Sequence, residues 1–195
     1  HWRGHMDIGT IIVLVFAALV LAYCITIYNG LVTLKHNVSK AWSNIDVLLK
    51  QRHDELPKLV EICKAYMAHE KDTLERVISA RSAVFAAREA GDIRGLGGAE
   101  TSLRQGLGKL FAVAENYPEL KADKNFKYLQ DRITTLENTI ADRREFYNDS
   151  VNLNNVRVEQ FPDVVISRWF GFGQPELLEF LEEERKDVDV KALFN

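Results

Sequence analysis

The sequence predicts an all-α chain in which an N-terminal transmembrane helix continues into an antiparallel up-and-down four-helix bundle. Three observations predict it. No charged residue stands between Asp7 and Lys35, apolar residues beyond that run recur every three or four positions, and no segment alternates as a half-buried strand does. A length of 195 residues with 47% apolar content is enough for one core of ordinary size.

The opening HWRGH reads as an expression remnant (residues 1–5), so Met6 is taken as the start and residues 6–28 as the span. Ile8, Val15, Leu19 and Ile27 mark its length. As a helix, that stretch covers about 30 Å, the thickness of a bilayer's hydrocarbon core. A cleaved signal peptide would start with basic residues and carry a shorter apolar run, whereas Asp7 opens this one. Tyr23 and Tyr28 suit the headgroup layer at its far end. Lys35, Lys40, Lys50 and Arg52 follow the span while the native N-terminal flank has no basic residue, which places the N-terminus outside and the large C-terminal part in the cytoplasm.

Residues 29–173 are expected to form the bundle. Leu31, Leu34, Val38, Trp42, Ile45 and Leu49 make one apolar face of a helix leaving the membrane. Pro57 is expected to start a second helix after a turn near His53–Leu56, and the four glycines of GDIRGLGG to end it. A third helix is read over Ala99–Glu115, and a fourth from Asn125, with Phe126, Leu129, Ile133, Leu136, Ile140, Tyr147, Val151, Val158 and Phe161 on its stripe. Up-and-down topology then carries the glycine-rich turn and the segment after Phe161 back towards the bilayer. That segment, FPDVVISRWFGFG, sets Trp169, Phe170 and Phe172 beside Arg168, a composition suited to a membrane interface or to capping a helical core. Residues 174–195 form an acidic tail whose Leu177, Leu178, Phe180 and Leu181 are candidates for binding a partner.

Reactive motifs fall short of their chemistry. The stretch His69–Thr73 (HEKDT) begins like a zinc-protease His-Glu-x-x-His, but a threonine hydroxyl stands where the second imidazole should be. No Glu-x-x-His serves a di-iron site, GDIRGLGG lacks the Lys-Ser/Thr of a phosphate loop, and no nucleophile elbow is present. Cys24 and Cys63 form no spaced framework. A net charge of −3 with interspersed signs gives no general attraction to nucleic acid. Neither metal, cofactor nor catalytic residue is therefore expected. A structural polar network of Arg52, His69, Glu70 and Arg144 across helices is.

The stretches from YNGLVTLKHNVSKAW through YMAHEKDTLERVISAR, then AENYPELKADKNFKYLQDRITTLENTIADRREFYNDSV, FP and WFGF, resemble the LemA family of bacterial membrane proteins. The resemblance implies a single span and an up-and-down helical bundle in the bacterial cytoplasmic (inner) membrane, and brings no established enzymatic activity. The function expected is a non-enzymatic adaptor that binds lipid and another membrane protein, with an HtpX-type zinc protease as the partner that the resemblance suggests. Self-assembly into a homo-oligomeric scaffold, with Ala18 and Ala22 as weak small-residue spacing in the span, is the alternative. An enzyme of unknown activity is the second.

Overall fold

The structure is a computed structural model and describes residues 7–180. Among the described residues there are six helices and no strand: α1 (Ile8–Tyr66), α2 (Lys71–Ala90), α3 (Ile93–Ala114), α4 (Pro118–Ala122), α5 (Lys124–Glu159) and α6 (Asp163–Phe170). They divide into two compact units. The first comprises the chain up to Lys40 with Ser150–Pro175, and the second Ala41–Asp149 with the chain from Glu176.

In the first unit, every residue from Asp7 to Tyr23 is exposed, and this part of α1 is the one helix among the described residues long and apolar enough to cross a membrane. Ile8, Val15 and Leu19 lie in the exposed stretch. Ile27 is instead buried, packed with Leu31 of α1 and Val158 of α5, so packing begins at the last residue assigned to the span. Ile166 and Phe172 close over this cluster.

In the second unit, the remainder of α1 buries Ile45, Leu49, Leu56 and Leu59, α2 buries Leu74, Val77 and Val84, α3 buries Leu96, Leu103 and Leu107, and α5 buries its stripe from Phe126 to Tyr147. The three-and-four spacing is what brings these residues to one side of each helix. Asp123 caps α5, its Oδ1 accepting from the amides of Asn125 (2.8 Å) and Phe126 (3.1 Å). The Phe126 amide first, then the Tyr66 hydroxyl donating to Oδ2 (3.0 Å), hold its carboxyl below the usual range.

Three expectations need correction. Pro57 does not begin a helix: α1 runs through it to Tyr66. Proline has no amide to give the carbonyl of His53, four residues back, and interior proline ordinarily breaks a helix. Here Arg81 of α2 supplies the donor, its Nε lying 3.0 Å from that carbonyl. The break comes instead at Met67–Glu70, where neither glycine nor proline marks it. Met67 is fully buried there, and Tyr117 donates from its hydroxyl to Glu70 (3.3 Å).

The glycine-rich stretch is likewise mostly helix. Only Gly91 takes a left-handed conformation, closing α2, and Asp92 then caps α3 by accepting from the amide of Gly95 (2.9 Å). Arg88, in the last turn of α2, grips Asp46 of α1 at 2.6 and 3.0 Å, so this turn lies level with Asp46 on α1. Finally, α5 ends at Glu159, which takes Phe161 off its stripe, and a separate helix follows where none was expected.

Candidate functional site

Arg52, expected in a polar network, is the centre of one. It is fully buried on α1, its two terminal nitrogens engage both carboxylate oxygens of Glu100 on α3, and Nη1 also donates to Glu137 of α5 at 2.5 Å. Arg104 of α3 approaches the other Glu137 oxygen at 3.5 Å. Desolvation is the largest single influence on Arg52 and works against its charge, but the two carboxylates together outweigh it and raise its pKa. Burial pushes Glu137 above the usual carboxyl range and the Glu100 charge adds to this, against the pull of Arg52. Two guanidiniums and two carboxylates thus balance one another and fix the register of α1, α3 and α5.

His69 is exposed in the turn before α2, Glu70 meets Tyr117, and Arg144 stacks on Phe180 at 3.5 Å from the ring centroid. The carboxylate partners of Arg52 are Glu100 and Glu137, not Glu70. Arg81, which serves the Pro57 gap, also places Nη2 2.8 Å from Nε2 of His53, making that ring nitrogen an acceptor and the imidazole neutral. Burial, with Arg81 next, lowers the His53 pKa. The ring stacks on Phe85 at 4.7 Å. Burial pushes the Cys63 thiol up to about 12, far from a reactive thiolate. Among the described residues, no group of three or more His, Cys, Asp or Glu is arranged to hold a metal.

The aromatic segment forms a collar in the first unit. Phe170 and Phe172 pack edge-on against Tyr28, with centroids 4.8 and 5.6 Å away. Asp163, buried at the start of α6, accepts from Arg157 of α5, and the left-handed Gly171 closes the helix. Trp169 does not share in this packing: it is 81% exposed. Core capping therefore accounts for Phe172 and part of Phe170 but not for Trp169.

The tail after α6 is extended and bound to this chain. In the first unit, Asn154 and Asn155 donate to the carbonyls of Gly173 and Pro175, each at 3.1 Å. In the second, the Tyr147 hydroxyl donates to the carbonyl of Glu176 (2.9 Å), while Asn148 both donates to the Leu178 carbonyl (3.0 Å) and accepts from its amide (2.8 Å). Tyr147-Asn148 and Asn154-Asn155 are one heptad apart on α5. Leu178 is 1% exposed, Leu177 is half-buried, and Phe180 is covered by Arg144 and Arg104. Leu178 and Phe180, expected to serve a partner, are thus engaged internally. Leu181, with residues 182–195 of the tail, lies outside the described residues.

A family model for the LemA family matches residues 41–192, more than three quarters of the chain. The chain belongs to the LemA family. Similar curated proteins include "Magnetosome protein MamQ 2" and "Magnetosome protein MamQ 1" of Paramagnetospirillum magneticum, each 24% identical over 186 residues, covering 84% of this chain and 68% of the relative. "Magnetosome protein MamQ" of Magnetospirillum gryphiswaldense is 23% identical over the same coverage.

The LemA match begins at the first residue of the second unit and includes α2 to α6 and the segment 171–180 that follows α6, the strap. Within this LemA-family chain, reasoning from sequence missed Glu100, Glu137, His53 with Arg81, and the asparagines of α5. Glu137 interrupts no apolar stripe, and an exposed-looking glutamate gives no local sign of a buried partner. The Asn148/Asn154/Asn155 pattern was legible, since amide side chains repeating by a heptad beside an apolar seam are unusual for a solvated face.

Proposed function

We propose that this LemA-family protein is a non-enzymatic, single-pass membrane adaptor: an antiparallel up-and-down four-helix bundle in the bacterial cytoplasmic membrane, with its N-terminus outside and the bundle in the cytoplasm. The observation that carries the reading is the run of exposed apolar residues from Ile8 that leads without a break into packed helix. Such a surface is stable in lipid and costly in water. Lys35 and Lys40, both exposed after the run, support the orientation; Arg52 is spent in the core and does not count towards it.

The reading as adaptor is supported by where the polar chemistry goes. Arg52, Glu100, Glu137 and Arg104 pair their charges with one another, His53 is held neutral by Arg81, and the Cys63 thiol is suppressed. The relatives are named as magnetosome proteins, which favours a component of a membrane assembly over a reaction. With the backbone of residues 173–178 bound to α5, the surface we assign to a partner is the outer face of α5, where Leu153 and Val156 are exposed opposite the buried Val151 and Val158. The partner is another membrane protein, with an HtpX-type zinc protease as the instance that the family resemblance implies.

Affinity purification of the full chain from native membranes into nanodiscs, with the mass of the complex measured, tests this. A defined complex with one different membrane protein supports it. A large complex of this chain alone makes it a homo-oligomeric scaffold, and a monomer with no partner removes the adaptor reading.

A further inference from the structure

The collar carries a second membrane contact. Val165 and Trp169 of α6 fall four residues apart and so share one side, 52% and 81% exposed, and Phe161, in the turn before the helix, is 84% exposed. The opposite side is used for packing: Asp163 and Ser167 are buried, and Ile166 lies on the Ile27–Leu31–Val158 cluster. Arg168, also exposed, flanks the apolar side. Two exposed large aromatics and a valine beside a cation, on and just before a helix whose other face is packed, have the composition of a segment lying in a headgroup layer.

The level of α6 along α1 decides which surface covers them. The helix docks on Ile27, Tyr28 and Leu31, directly after the exposed apolar run. A bilayer's polar layer is roughly 5–8 Å thick on each side of the hydrocarbon, which is about four or five residues of helix rise. Counted from Ile27, that layer spans the part of α1 on which α6 sits. We propose that α6 is an interfacial helix, with Phe161, Val165 and Trp169 inserted among the lipid headgroups of the membrane that α1 crosses and Arg168 facing lipid phosphate. The inference rests on reading Ile8–Ile27 as a span. It adds a second anchorage that fixes how α1 and α5 stand on the bilayer, where a single helix could tilt and rotate freely.

The test uses the full chain in vesicles of phosphatidylcholine and phosphatidylglycerol. Trp2→Phe with Trp42→Phe leaves Trp169 as the sole tryptophan. A second variant adds Trp169→Phe and Leu19→Trp to report the span. Bromines near the headgroup end of the acyl chains are expected to quench Trp169 and deep bromines to quench Leu19→Trp, with Trp169 emission blue-shifted and shielded from acrylamide. Trp169 open to acrylamide and unquenched by bromines, with Leu19→Trp still quenched, overturns the interfacial helix and leaves the span standing. Shielding from acrylamide without quenching by bromines also overturns it, assigning these side chains to a second copy of the chain. An unquenched Leu19→Trp removes the span and the inference together.

Discussion

The continuity of α1 through Pro57 depends on one side chain of another helix, and this makes a sharp prediction. In Arg81→Met the carbonyl of His53 loses the Nε donor at 3.0 Å, and Pro57 has no amide to replace it. A partly buried unpaired carbonyl costs about 1–3 kcal/mol, and the ring contact with His53 Nε2 adds to the loss. Pro57→Ala returns the helical donor and relieves a residue that costs ~3 kcal/mol relative to alanine in a helix interior, so alone it should stabilise. In that background Arg81→Met should lose only the ring contact, giving a coupling of about 1 kcal/mol or more between the positions. Urea denaturation of the full chain in detergent, followed by far-UV circular dichroism, measures the four corners of the cycle. Equal cost of Arg81→Met in both backgrounds would refute the argument that Arg81 stands in for the missing amide.

Arg52→Met leaves two carboxylates buried together and should cost about 3–5 kcal/mol in the same assay. Gly97→Ala and Gly108→Ala should move in opposite directions although both add a methyl to α3. At Gly97 it meets the Glu179 carbonyl of the strap, while at Gly108 nothing lies within 4 Å and the better helix former should gain up to ~1 kcal/mol. Asn148→Ala removes both bonds to Leu178, and proteolysis after Glu176 or Glu179 should become faster by about tenfold. The folded pKa of His53 is lowered, so the unfolded chain takes up its proton first as the pH falls. Stability should therefore be full above about pH 6.5 and decline from there towards the lower folded value, a slope that His53→Gln should flatten.

Much of the fold was legible. The uncharged run and the stripes of α1 and α5 are local signals, and local signals survive in a single sequence. What was not legible depended on partners distant in the chain. Pro57 reads as a helix start unless Arg81, twenty-four residues on (81 − 57), is known to reach back. Gly95 and Gly97 read as a breaker because glycine's entropic cost is a local quantity, whereas their use is for close approach, by the Asp92 cap and by Glu179 of the strap. Conversely, the break at Met67–Glu70 has no local marker and is fixed by a buried methionine and Tyr117. α6 could have been found: Asp163 at its start and Gly171 just past its end are ordinary boundary signals, overlooked beside the aromatic composition between them.

The central claim is that this LemA-family chain stands in a membrane and presents α5 to another protein there. A photo-crosslinking residue at Leu153 of the full chain, activated in native membranes, tests it most directly. The account predicts one dominant adduct with a different membrane protein, lost in Val156→Glu while the chain remains in the membrane fraction. An adduct of this chain with itself, or none from a chain that is still membrane-bound, would contradict it.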